Sequence, residues 1–272
     1  MKLNNRPVVV SGASITNDST WPTWATWVKH RYGLTNITNV SVKGIGNELI
    51  LLKAIHAAKQ LINPVIVVQL TNVDKWDWYV DNPKLITKIN QEKHPITRLS
   101  NSDANGFWST GSHFPLWKEY YKNNYYSIEY QTYKTLQQLQ WFQMLCNKQQ
   151  WQYLVLFDSP ILSVTEQQLN IGQLTIDECL AMTLVNNSLS QSIFESTMFD
   201  NIYLPGLIGY ACQNNLLWHT DKFKGHPGSL VHYYFTKDII STDLDKILTP
   251  VVDFESFLDE ATRFQMLVSE DV

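Results

Sequence analysis

Short β-branched runs alternating with helical segments over residues 6–70 restrict the fold of this chain more than any other feature. Arg6–Val10 is apolar and β-branched and is cut off by Ser11-Gly12, which reads as a buried parallel strand. Trp21–Tyr32 reads as a helix, with Pro22 suiting its first turn and Gly33 stopping it. Asn36–Val42 reads as a second strand and Lys43–Asn47 as a Gly-rich turn. Glu48–Leu61 repeats apolar residues at helical spacing (Leu49, Leu52, Ile55, Ala58, Leu61), Asn63-Pro64 ends it, and Val65–Leu70 is an apolar third strand. This alternation predicts an α/β fold with a central parallel sheet and right-handed crossovers.

From about residue 74 to 127 the pattern dissolves into polar and aromatic sequence, too long for an ordinary connection, which predicts a functional insertion over the top edge of the sheet. A long helix is expected over Ile128–Lys148 and a strand over Tyr153–Phe157. Asp158-Ser159-Pro160 opens a second irregular excursion, followed by helical segments at Ile176–Asn186, Leu189–Phe199 and Leu207–Asn214. Ser229–Ile240 is expected to pack back on the sheet, and Phe254–Leu267 to form an amphipathic C-terminal helix. No repeat or low-complexity linker divides the 272 residues, so one domain over 1–272 is expected. A net charge of -4 without a Lys/Arg run argues against nucleic acid. No apolar stretch approaches the ~20 residues of a membrane span. The N-terminus lacks the apolar core of a signal peptide, so a soluble protein of cytoplasmic synthesis is expected. Cys146, Cys179 and Cys212 form no CxxC pair and are expected as buried thiols.

Ser14, in Gly12-Ala13-Ser14-Ile15-Thr16, falls just past the carboxyl end of the first strand, where open α/β sheets place their ligands. A serine there is a potential nucleophile if a base and oxyanion donors reach it. Gly44 follows the second strand, where a missing side chain lets a backbone N–H approach a ligand. Asn72 follows the third strand in Gln69-Leu70-Thr71-Asn72, and His226 lies late in the chain before Pro227.

These residues, in the order serine, glycine, asparagine, histidine, resemble the SGNH (GDSL-like) hydrolase superfamily over most of the chain. Gly12-Ala13-Ser14-Ile15-Thr16 resembles its Gly-Asp-Ser-Ile-Thr block, with Ala13 in place of the acid. Asn39–Asn47 resembles the second block, Leu70-Thr71-Asn72 the Gly-x-Asn block without its glycine, and His226-Pro227 the terminal Asp-x-x-His-Pro block. The divergent members that it looks most like occur in tailed phages and environmental bacteria. The resemblance implies a three-layer α/β/α, flavodoxin-like fold. It also implies Ser14 as nucleophile, an oxyanion hole of Ser14, Gly44 and Asn72, His226 as general base, and no cofactor. The family aspartate three positions before the histidine is Phe223 here. Asp221 is the nearest carboxylate, reaching His226 by a loop through Gly225; the alternative is a dyad oriented by a backbone carbonyl.

No metal site is expected, because His219 and Asp221 lack further ligands at suitable spacing and His232 has none beside it. His30, His56, His94 and His113 read as surface or core residues, and Asp74 and Asp77 as solvated loop charges rather than a glycosidase pair. Residues 76–133 hold 13 of the 34 aromatic residues in about a fifth of the length, twice an even share. Aromatic faces stack on sugar rings, so Trp76, Trp78 and Trp108 are expected to bind a carbohydrate ester such as an O-acetylated glycan. The expected activity is serine ester hydrolysis through an acyl-enzyme. The other readings are a non-catalytic module of the same fold that binds glycan or a virion or surface protein, and acyl transfer to a sugar.

Overall fold

The computed structural model describes residues 6–19, 21–71, 75, 77–80, 107–110, 128–158, 202–203, 206–216 and 227–269. In chain order the elements are β1 (Val8–Ser11), α1 (Trp24–Arg31), β2 (Ile37–Asn39), α2 (Asn47–Ala58), β3 (Val65–Leu70), β4 (Asp77–Val80) and β5 (Phe107–Thr110). They continue with α3 (Ile128–Lys148), β6 (Gln152–Phe157), β7 (Ile202–Tyr203), α4 (Gly206–Gln213), α5 (Ser229–Phe235), α6 (Ser241–Leu244) and α7 (Leu258–Ser269).

Five strands form a parallel sheet in the order β2-β1-β3-β6-β7. Val8 pairs with Ile37 on one side and Val65 on the other, and β3 and β6 run in register from Val65↔Gln152 to Leu70↔Phe157. Both faces of the sheet are covered, which is why β1 and β3 are apolar apart from Ser11 and Gln69. The period of two survives inside those runs. Val9, Ile66, Val68 and Val155 pack with Leu49, Ile50 and Ala54 of α2 and with Leu139 and Phe142 of α3. Val8, Val10, Val65, Val67 and Leu154 pack with Trp24 and Val28 of α1, Leu207 of α4 and Val231 and Phe235 of α5. A third cluster joins Trp27 of α1 to Tyr233, Phe254, Phe257 and Ala261 near the C-terminus.

The chain leaves β1 for β2 on one side and returns to β3 on the other, so the order reverses at the carboxyl ends of β1 and β3. Open α/β sheets hold ligands in the crevice at that point.

Several expected boundaries move. α1 starts at Trp24, with Thr23 as its N-cap, so Pro22 lies ahead of the helix rather than in its first turn. The Thr23 hydroxyl donates to the Thr16 carbonyl at 3.2 Å, which ties the helix start to the turn after β1. β2 is confined to Ile37–Asn39, although Val40 and Val42 still donate to Val10 and Gly12 carbonyls at 2.8 and 3.1 Å. The stretch expected to be irregular contains an antiparallel pair, β4 with β5, from Asp77↔Thr110 to Val80↔Phe107. The two-residue strand β7 was too short to leave a periodic signal. Ser229–Ile240 divides into α5 and a π-turn, Thr236–Ile240. Phe254–Phe257 is a 3₁₀ turn leading into α7. The helices expected at 176–186 and 189–199 lie outside the described residues. No described helix is long and apolar enough to cross a membrane.

Candidate functional site

Between Val8 and Thr16 every residue is buried except Ser14, which is half-buried. Thr16 and Asn17 N–H groups both donate to the Ala13 carbonyl, at 3.3 and 3.2 Å, so the chain makes one tight turn with Ser14 inside it. A Cβ at Gly12 would lie 2.1 Å from Thr16 Oγ1, so only glycine permits this closure. The turn is anchored on two sides. Toward β3, Thr16 Oγ1 donates to Gln69 Oε1 at 2.5 Å, and the Trp24 indole donates to the same oxygen at 2.6 Å. Toward β2, Asn17 Nδ2 donates to the Ser41 carbonyl at 2.9 Å, and Asn39 Nδ2 to the Thr16 carbonyl at 3.4 Å.

Gly44 lies past β2 with φ +83°, a left-handed conformation that L side chains rarely adopt. It is half-buried, between the exposed Lys43 and the buried Ile45. α2 begins directly after it. The N-cap, Gly46, has no side chain to offer the free N–H groups of the first turn. Asp77 of β4 supplies the acceptor instead: Gly46 N–H donates to Oδ1 at 2.8 Å and Leu49 N–H to Oδ2 at 2.9 Å. Burial pushes the Asp77 carboxyl up to about 6, against the pull of those two donors; Glu48 adds to the rise and Lys134 opposes it. Asp77 is therefore a buried cap and not the solvated loop charge expected from its sequence context. It fastens the start of β4 to the turn that carries Gly44.

At the end of β3, the Asn47 carboxamide brackets Thr71, donating to its carbonyl at 3.0 Å and accepting from its N–H at 2.8 Å. Thr71 Oγ1 donates to Asp158 Oδ2 at 2.7 Å and accepts from Lys75 Nζ at 2.8 Å. Asp158 follows β6, so the ends of β3 and β6 and the start of α2 meet in one polar cluster.

Of the expected site residues, the structure describes Ser14 and Gly44 and sets them on two turns cross-linked by the Asn17–Ser41 and Gly12–Val42 hydrogen bonds. Asn72, Trp76, Asp221 and His226 lie outside the described residues, as do His219, His94, His113 and Cys179. The described chain resumes at Pro227, next to His226, and Pro227 and Gly228 are buried at the start of α5. The backbones of Trp78 and Trp108 belong to the β4–β5 pair, where Trp78 opposes Ser109 and Trp108 opposes Tyr79. His30 and His56 are exposed and His232 is fully buried. Cys146 is a buried thiol, its pKa pushed up to about 12 by burial. Among the described residues, no group of His, Cys, Asp and Glu is arranged to hold a metal.

The sequence reading names neither Gln69 nor Asn47 as a site residue, and weighs Asp77 only as one of a glycosidase pair before reading it as a solvated charge. A glutamine inside an otherwise apolar, doubly covered strand was the legible signal for Gln69, since a buried amide must find partners. No local signal marks Asn47 or Asp77, whose partners lie 24 and 31 residues away. No known family model matches the sequence, and no curated protein is significantly similar to it.

Proposed function

We propose that the chain is a serine ester hydrolase of the SGNH type, with a flavodoxin-like three-layer fold and Ser14 as nucleophile. One observation carries this reading: Ser14 is the sole residue between Val8 and Thr16 left accessible, in the turn at the strand-order reversal. The left-handed Gly44 on the adjoining turn supports a backbone N–H donor there, because a glycine leaves its N–H open to close approach. In the proposed reaction, Ser14 Oγ attacks the ester carbonyl carbon as His226 takes its proton. The N–H groups of Ser14 and Gly44, with the Asn72 carboxamide, take the negative charge on the oxygen. Collapse breaks the bond to the alcohol, which leaves with the proton from His226. Water repeats the sequence, releasing the carboxylic acid and free Ser14. Asp221 or a backbone carbonyl would orient His226, and the aromatic insertion with Trp76, Trp78 and Trp108 would hold a glycan ester.

The test is p-nitrophenyl acetate turnover and fluorophosphonate labelling of the purified chain, with Ser14→Ala beside it. Turnover and labelling lost in Ser14→Ala support the reading. Asn72→Ala should lower the rate by ~10²–10³ if its amide completes the oxyanion hole. A native chain that neither labels nor turns over short-chain esters, yet binds glycan with Ser14 replaced, points instead to the non-catalytic module.

A further inference from the structure

We propose that Asn47 is a positioning residue that holds the turn carrying Gly44 and the end of β3, the strand that leads to Asn72, at a fixed separation. The proposal rests on the esterase reading. Asn47 is 4% exposed and is the first residue of α2, three positions after Gly44. Asparagine is an indifferent helix former, and at this place it does not cap its own helix, since Gly46 is the N-cap and Asp77 takes the free N–H groups. Its carboxamide spends both of its polar groups on the backbone of Thr71, the residue immediately before Asn72.

This double bond has a geometric consequence. One donor and one acceptor on a rigid planar amide fix both the distance and the orientation of the peptide they grip. The Thr71 side chain is held separately by Asp158 and Lys75, so Thr71 is fixed at its N–H, its carbonyl and its hydroxyl. On the other side, the Asp77 clamp on Gly46 and Leu49 holds the α2 start against β4. Oxyanion donors act only when set about 2.7–3.1 Å from the position the charge will occupy. Donors that follow two different strands meet that requirement only if something stiff joins them, and among the described residues Asn47 bridges the start of α2 and the end of β3 through paired backbone bonds. An apolar residue would fill the site but leave both Thr71 groups buried without partners.

Asn47→Ala is compared with Leu139→Ala, a cavity substitution in α3 under the sheet that leaves the Asn47–Thr71 hydrogen bonds intact. Three quantities are read for both: kcat and KM on p-nitrophenyl acetate, the melting temperature, and amide hydrogen exchange in peptides covering residues 40–47 and 70–75. Asn47→Ala should lower kcat by ~10²-fold with KM within about threefold, as for loss of an interaction made in the transition state. Exchange should rise at both turns together. Leu139→Ala should lower the melting temperature as much or more while keeping kcat within about twofold, because the cavity weakens the core and leaves the Asn47–Thr71 bonds in place. The proposal is overturned if kcat in Asn47→Ala falls no further than in Leu139→Ala. It is also overturned if exchange rises only in the peptide containing residue 47. A native chain without turnover or labelling defeats the esterase reading and the catalytic half of the proposal with it; concerted exchange at the two turns then still establishes the structural coupling.

Discussion

Gln69 places one side-chain oxygen under both the Thr16 hydroxyl and the Trp24 indole, and all three residues are at most 1% exposed. That oxygen holds the turn carrying Ser14 down onto β3 and α1 at once. Gln69→Leu keeps the volume and removes the acceptor, stranding two buried donors. Each stranded donor costs about 1–3 kcal/mol, so urea titration should show a loss of about 2–6 kcal/mol with an unchanged m-value. A loss under about 1 kcal/mol would show that the turn is held elsewhere. Gln69→Glu is the companion variant: it keeps the acceptor at the expense of a buried charge.

α2 is capped by a carboxylate from a strand that follows it, and this makes β4 and the Gly44 turn one pH-sensitive unit. The Asp77 carboxyl is pushed up to about 6 mainly by burial. Between its ordinary value of 3.8 and about 6, the folded chain keeps a proton there that the unfolded chain has lost. The resulting stability is fully present below the unfolded value and is lost as pH rises through the folded one. Its size is on the order of 3 kcal/mol, from about 1.4 kcal/mol per unit. Asp77→Asn removes this titration, so its stability relative to the native chain should rise as pH goes from 4 to 7. Chemical denaturation at several pH values checks it; a difference that is flat or falls with pH defeats the assignment. Glu48 and Lys134 face the same carboxyl with opposite signs, so neither alone sets the midpoint.

The molecule is closed by α1, which serves two cores. Trp24 and Val28 pack on the sheet, while Trp27 packs with Tyr233, Phe254 and Phe257 near the C-terminus. Arg31 at its end adds hydrogen bonds to the Val252 carbonyl and to Asp245, and lies over the Phe254 ring at 4.7 Å. A helix shared in this way couples the two clusters, so Phe254→Ala should cost about 3–5 kcal/mol and still melt in one calorimetric transition. Two resolved transitions would show the C-terminal cluster to be a separate unit. By itself the amino-acid order determined the alternation of strands and helices, the parallel sheet, and the places of Ser14 and Gly44 beyond β1 and β2. Those features rest on local patterning: β-branched runs, helical spacing and glycine at turns write themselves into neighbouring residues. Only the tertiary structure decided that Asp77 caps α2, that Gln69 and Asn47 brace the rim, that β4 pairs with β5, and that Pro22 stays outside α1. Each of these depends on a partner brought close by the crossing of the chain, and a buried polar group takes whichever partner the fold delivers, however distant in sequence.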